Sequence, residues 1–309
     1  MQIRIDASLA GLTVKELLLK YGISHSLAAR LKRLDDGITV NGEHVTVRRI
    51  LSEGDLLTLA TEDLPQDENE SLIPHEMPLD IIFEDDDLIA VNKPPDMATH
   101  PSIGHFEDTL ANGLAYYFAA QGKPFVFRAV NRLDRDTSGV VLVAKSRLSA
   151  ARLSGLMREG RIRKTYIAVL NGKLPDENGR IETCIRRKNA SIILREVCEE
   201  SADGAKHAIT VYETLFSSDN ASVVRAEPIT GRTHQLRVHF SHLGAPIVGD
   251  AFYGTAEDMP TMLDSAVSRQ ALHAASLKID FGDRLLELEA DLPLDMVRLC
   301  NIIKGEKIG

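Results

Sequence analysis

The pattern of apolar and polar positions changes character near residue 78. Ahead of it, apolar residues come in short bursts. Val14, Leu17, Leu18 and Tyr21 fall at helical spacing, and Gly22 supplies a C-terminal stop. Ser24 or Ser26 is placed to cap a second helix that carries Leu27, Leu31 and Leu34 inward and Arg30, Lys32 and Arg33 outward. Ile38-Thr39-Val40 reads as a strand entering an Asn41-Gly42 hairpin turn, with Val45 and Val47 alternating on the return and Arg48 and Arg49 following. Glu53-Gly54-Asp55-Leu56-Leu57 opens a further strand. Beyond residue 78 strands dominate. Two short ones flank the acidic turn at 84–87, and a helix starts at Thr109. Val140-Val141-Leu142-Val143-Ala144 is an unbroken apolar run, the signature of a strand buried on both faces. Residues 149–159 read as a helix with a basic exit at Arg158, Arg161, Arg163 and Lys164. The segments 164–169 and 204–212 alternate as strands.

The buried run at 140–144 is preceded by a dense polar loop, Asn131-Arg132-Leu133-Asp134-Arg135-Asp136-Thr137-Ser138-Gly139. Such residues often form nothing more than a turn. A calcium loop is a second possibility, since Asp134-x-Asp136-x-Ser138-Gly139 matches the opening of that motif. Its twelfth position must be a bidentate Glu and is here Lys145, and a strand follows instead of a helix, so calcium is rejected. An Arg-x-Asp pair at the mouth of a buried strand places opposite charges close together, partly out of water, which keeps the carboxylate ionised. An ionised, oriented Asp134 can serve as nucleophile, general base or metal ligand.

Composition adds limits. The 309 residues are 44% hydrophobic and 26% charged, enough for a sizeable core and more than one domain. Cys184, Cys198 and Cys300 have no metal-like spacing. There is neither a signal-like apolar run nor a stretch near the ~18 apolar residues of a membrane span, so a cytoplasmic protein with reduced thiols is expected. The formal charge of −9 argues against nucleic acid until it is located. Eleven acids and no Lys or Arg lie between residues 61 and 92, and without them the remainder carries +2. Residues 62–78, with Pro65, Pro74 and Pro78 among the acids, read as an acidic linker between residues 1–61 and 79–309.

A second informative stretch is Gly231-Arg232-Thr233-His234-Gln235-Leu236-Arg237, followed by Gly249-Asp250-Ala251-Phe252-Tyr253-Gly254. His234, His239 and His242 fit no standard zinc spacing, and no metal site is expected. Arg232 and Arg237 flank a short helix or strand end and could bind phosphate or pair with Asp134. The central loop resembles the His-Arg-Leu-Asp-x-x-Thr-Ser-Gly signature of the RluA-type pseudouridine synthases, with Asn131 in place of the usual His. Asn92-Lys93-Pro94, Lys164-Thr165-Tyr166, the 231–237 and 249–254 strings and Leu272-His273-Ala274 resemble further blocks of that family, in the same order. The order of elements at the N-terminus, with Val40-Asn41-Gly42 and Gly54-Asp55, resembles an S-four-like (alpha-L) RNA-binding module.

The resemblance implies an α+β catalytic domain on a mixed, largely antiparallel sheet. It implies isomerisation of uridine to pseudouridine in RNA without cofactor, with Asp134 as the catalytic residue. Arg237 becomes the partner that keeps Asp134 ionised, Tyr166 the ring against an extruded uracil, Arg132 the side chain that fills the vacated stack, and His273 a structural residue. Whether Asp134 attacks the sugar, attacks the ring or assists loss of the base proton stays open. Arg30, Lys32, Arg33, Arg48, Arg49, Arg161, Arg163, Lys164, Arg186, Arg187, Lys188 and Arg232 are the expected phosphate contacts. The substrate class that the resemblance implies is ribosomal RNA of the large subunit, with transfer RNA as the alternative, and the expected oligomeric state is a monomer. The rivals are a non-catalytic ribosome-assembly factor on the same fold, and an Asp-dependent enzyme of free nucleosides.

Overall fold

The computed structural model describes residues 1–305 apart from 24, 61–71, 103, 189–190, 192, 255–262 and 264–265. The positions 62–71 of the expected linker, and the capping role considered for Ser24, lie outside the described residues.

Near the N-terminus, β1 (Gln2–Arg4), β2 (Ile38–Val40), β3 (Glu43–His44) and β4 (Leu56–Leu59) form an antiparallel sheet in the order β1-β4-β2-β3. Two helices cover it, α1 (Val14–Lys20) and α2 (His25–Leu31). A reciprocal capping box starts α1: Glu16 N–H donates to the Thr13 hydroxyl, and the Glu16 carboxylate accepts from Thr13. Two expectations need correction. The return strand of the hairpin is only two residues long, so Val45 and Val47 lie beyond it, and α2 ends at Leu31, before Leu34. The core of this unit also takes in Leu148, which comes from far along the chain.

The larger sheet has ten strands among the described residues: β5 (Ile81–Glu84), β6 (Leu88–Lys93), β7 (Ser138–Ala144), β8 (Ile162–Asn171), β9 (Asn178–Arg187), β10 (Arg195–Cys198), β11 (Lys206–Ser217), β12 (Ala221–Pro228), β13 (Leu272–Asp280) and β14 (Leu285–Glu289). Their order is β10-β9-β11-β12-β8-β13-β7-β6-β5, with β14 added on β13. Among the described strands the parallel pairing is β7 with β13, over His273↔Ser138 and Ala274↔Gly139; the other pairs are antiparallel. The fold is α+β, with a mixed, mostly antiparallel sheet.

The apolar run of β7 is explained by helices on both its faces. Val141 and Val143 pack with Leu110, Leu114 and Phe118 of α3 (Leu110–Ala119), while Val140, Leu142 and Ala144 pack with Leu153 and Leu156 of α4 (Arg147–Arg158). Helix α4 begins two residues earlier than the apolar pattern suggests, because the Ser146 hydroxyl caps it by accepting from the Ser149 N–H. Residues 72–78, expected as linker, run beside α3: Asn112 Nδ2 donates to the Ile73 carbonyl, and the His75 N–H donates to the Asn112 carbonyl. Helices α5 (Gln235–His242) and α6 (Leu294–Lys304) complete the larger unit.

Candidate active site

The polar loop ahead of β7 is fastened at most of its positions. The Asn131 amide, where the related signature has His, donates to the Val140 carbonyl and accepts from the Leu142 N–H, tying the loop to the strand it enters. Thr99 Oγ1 donates to the Leu133 carbonyl and accepts from its N–H. Lys93, fully buried, directs Nζ at the carbonyls of Pro94, Met97 and Arg135 at 2.8–2.9 Å. Burial pulls its pKa down to about 7, against the pull of Asp136, Asp134 and Asp96 toward the charged form. Arg269 donates to the Asp136 carbonyl and forks onto Asp295, and Gln270 reaches Thr137. Ser138 meets His273 Nδ1 at 2.9 Å; since His273 Nε2 must donate to the Ala290 carbonyl, Nδ1 accepts from the Ser138 hydroxyl. Between these anchors Arg132 stands exposed and Asp134 is half-buried.

Helix α5 supplies what faces Asp134. Gln235, at its first position, accepts from Thr230 Oγ1 and the Arg232 N–H and donates to the Ile209 carbonyl and Thr210, which fixes the 230–232 loop. Two residues on, Arg237 lies almost fully buried. Its Nε and Nη2 form a two-point fork with Asp250 at 2.6 and 2.8 Å, and its Nη1 donates to Asp134 Oδ2 at 3.0 Å. Burial opposes the guanidinium charge, but the hydrogen bonds and charges of Asp250 and Asp134 outweigh it and hold the Arg237 pKa above its ordinary value. Asp250 Oδ1 also accepts from the Phe252 and Tyr253 N–H groups, and that turn sets both rings against the guanidinium, 5.4 and 5.1 Å from their centroids. The turn needs Gly249: φ is +74°, and a Cβ there would lie 2.0 Å from the Arg269 carbonyl oxygen.

His234 caps α5 in the left-handed region, φ 56°, and its Nε2 lies 3.7 Å from Asp134 Oδ2. The Tyr253 hydroxyl accepts from the Arg195 N–H and so has its proton free for His234 Nδ1 at 2.8 Å, which leaves the imidazole proton on Nε2, facing Asp134. Burial lowers the His234 pKa; Arg237 and Arg195 add to that, while Asp134 and Asp250 pull the other way. Both contacts to Asp134 fall on Oδ2, so Oδ1 has no hydrogen-bond partner among the described residues. Tyr166, on β8, is buried, and burial together with the Asp134 charge raises its hydroxyl pKa. Lys164, two residues back on the same strand face, has its pKa lowered by burial, and a Cβ on Gly231 would lie 3.6 Å from its Nζ.

The candidate phosphate contacts are more dispersed. Arg161 pairs with Asp280 and Glu159, and Arg186 with Glu196, so both charges are partly neutralised. Arg232 is exposed and directs Nε at the His207 carbonyl. Arg163, Arg187 and Lys188 are exposed, as are Lys32, Arg33, Arg48 and Arg49, while Arg30 is half-buried. Asp250, His234, Lys93, Tyr253 and Arg195 carry much of the geometry around Asp134 without having been assigned roles from sequence. Lys93, His234, Asp250 and Tyr253 lie within the motif strings, and the signal that could have singled out Asp250 and Lys93 is an acid or a lysine set in an otherwise apolar stretch.

A profile of the RNA pseudouridylate synthase family matches residues 87–242, which span both the loop and α5. The chain belongs to that family. As an RNA pseudouridine synthase of the RluA type, it is 37% identical to the uncharacterised RNA pseudouridine synthase YjbO of Bacillus subtilis over 96% of this chain and 99% of that one. It is 32% identical to the ribosomal large subunit pseudouridine synthase D of Zymomonas mobilis, over 94% and 96% of the two chains. Among solved structures, the human RNA pseudouridylate synthase domain containing 1 superimposes with a TM-score of 0.56 at 28% identity, covering 75% of the synthase and 97% of that chain.

Proposed function

We propose that the synthase isomerises uridine in large-subunit ribosomal RNA, with Asp134 as the catalytic carboxylate acting on an extruded base. The observation that carries this is the Asp134–Arg237–Asp250 arrangement: a half-buried carboxylate held on one oxygen by a guanidinium that is itself locked by a second, buried carboxylate. The substrate class follows the similarity to large-subunit enzymes. In the reaction the N1–C1′ bond breaks, the C5–C1′ bond forms, C5 loses its hydrogen and N1 gains one, so atoms balance without a co-reactant. A base inside a helix is out of reach, and extruding it costs a few kcal/mol. Tyr166 supplies a ring for the uracil. Its raised pKa keeps the phenol protonated, which favours stacking and hydrogen bonding over service as a base. Arg132 is exposed in the loop and can take the vacated place. Asp134 Oδ1 acts on the nucleotide while Oδ2 stays with Arg237 and His234.

Residues 1–61 act in this reading as an S-four-like module whose Lys32, Arg33, Arg48 and Arg49 hold phosphates. Residues 62–78 join it to a catalytic domain over 79–309. The test is tritium release from RNA labelled at carbon 5 of uracil, comparing wild type with Asp134→Ala on ribosomal and transfer RNA. Release by wild type from ribosomal RNA, lost in the variant with RNA binding intact, is the expected outcome. Near-normal release by Asp134→Ala would overturn the assignment. Tight binding with no release from either RNA would point to an assembly factor.

A further inference from the structure

A cavity borders the catalytic loop, and of its lining the chemistry above uses only Arg132. It measures about 640 Å³, within the range of roughly 300–1,000 Å³ typical of sites that hold small organic groups. His100, Pro101, Phe127, Arg128, Asn131 and Arg132 line it, and Asp134 does not. Its floor is rigid: residues 128–130 pair with β7 through Val130 N–H to the Leu142 carbonyl and Ala144 N–H to the Arg128 carbonyl, and Asn131 is fastened to the same strand. Two flat rings, those of Phe127 and His100, meet two guanidinium-bearing side chains there. Phe127 is braced edge-on by Phe125, with centroids 6.5 Å apart. His100 is held toward its neutral form by burial and by the Arg132 charge. Flat π-faces beside cationic groups suit a nucleobase with its phosphate, since stacking accepts any base and the positive charge follows the backbone.

We infer that this cavity receives the nucleotide adjacent to the reacting uridine, its base stacked on Phe127 and His100 and its phosphate near Arg128. Arg132 is the shared wall: it lines the cavity and lies two residues before Asp134. An RNA strand crossing it would place one nucleotide on each side. The inference rests on the reading of Asp134 as the site of uridine chemistry, and it adds a contact that would read the shape of the flanking strand.

The experiment uses the full-length synthase and a C5-tritiated stem-loop cut from the ribosomal RNA that releases tritium, with an abasic residue placed 5′ or 3′ of the reacting uridine. An abasic site at one of the two positions should raise the RNA concentration for half-maximal single-turnover release roughly tenfold and leave the rate at saturation within about twofold. Phe127→Leu, which keeps apolar packing, and His100→Ala, at a half-exposed position, should show the same rise on intact RNA. Combining either variant with the sensitive abasic site should add nothing further, because the base that either ring contacts is already gone. Fully additive losses, or variants indistinguishable from wild type, would overturn the cavity's role while leaving Asp134 untouched. Absence of release by wild type from any RNA would overturn both.

Discussion

A guanidinium carries five N–H donors in a fixed fork, and Arg237 uses that capacity to serve two carboxylates at once. Lysine could not, because a single ammonium lacks the planar two-point geometry. Asp250→Asn should therefore harm two properties together. It leaves a buried charge half-paired, costing about 3–5 kcal/mol of stability, and it releases Arg237 from the position that orients Asp134. Thermal melts and single-turnover release should both fall, whereas an effect on melting alone would separate Asp250 from catalysis. Another buried side chain sets a pH response. His239 is fully buried between Thr183 and Thr210, and burial lowers its pKa to about 4. The unfolded chain then binds a proton that the folded chain refuses between pH 6.5 and about 4. The stability held above pH 6.5 is therefore lost as pH falls through that window, by about 2 kcal/mol at pH 5. His234 and His273 are shifted in the same direction, so His239→Gln should flatten the slope seen by denaturant unfolding at pH 7 and 5 without abolishing it. From sequence alone, Asp134 and Arg237 stand out because they sit in dense, ordered strings. The fork to Asp250 does not, because which of two acids an arginine faces depends on a turn built around Gly249. Nor does the His234 tautomer, which is set by an N–H from β10.

At the scale of elements, the junction of β7 and β13 is where the loop becomes a strand. Gly139 has φ +113°, and a Cβ there would sit 2.2 Å from the Ala274 carbonyl oxygen, so the two parallel strands approach only because no side chain intervenes. Gly139→Ala should cost about 3 kcal/mol and should also reduce release at saturation, since Ser138 and Thr137 are fixed from β13 and the segment before it. A loss of stability with an unchanged rate would show that the loop holds its shape without the junction. The apolar run of β7 and the capping Thr109 of α3 made those elements legible. Helix α5 was ambiguous between helix and strand end for a physical reason: its cap is a left-handed His234 with no side-chain cap bond, so the usual start signal is missing. The hairpin return was overread at its far end: Val45 N–H still donates to the Ile38 carbonyl of β2, but Val47 turns to α1, its carbonyl accepting from the Lys15 N–H.

Across the whole molecule, the N-terminal unit is seated on α4. Leu148 enters its core, and Gly22 meets Gly155 so closely that a Cβ on Gly22 would lie 2.9 Å from the Ala151 carbonyl oxygen. Helix α4 follows β7 after two residues, so the proposed phosphate-holding module rests on the element next to the strand that the Asp134 loop enters. The buried fork of Arg237 now has a consequence in ionic strength. Exposed cations such as Lys32, Arg33, Arg48 and Arg49 act through a field that dissolved ions screen within about 10 Å at 0.1 M, whereas the Arg237–Asp250 pair that positions Asp134 is buried and screened far less. Raising the salt should weaken RNA capture steeply, and replacing those four residues with Gln should make that dependence shallower by about 3 in log–log slope. The rate of tritium release at saturating RNA should stay level over the same range, a separation that stopped-flow mixing at two salt concentrations can read directly. Salt would then govern which RNAs are held, and the closed ion pair would keep the chemistry itself at one speed.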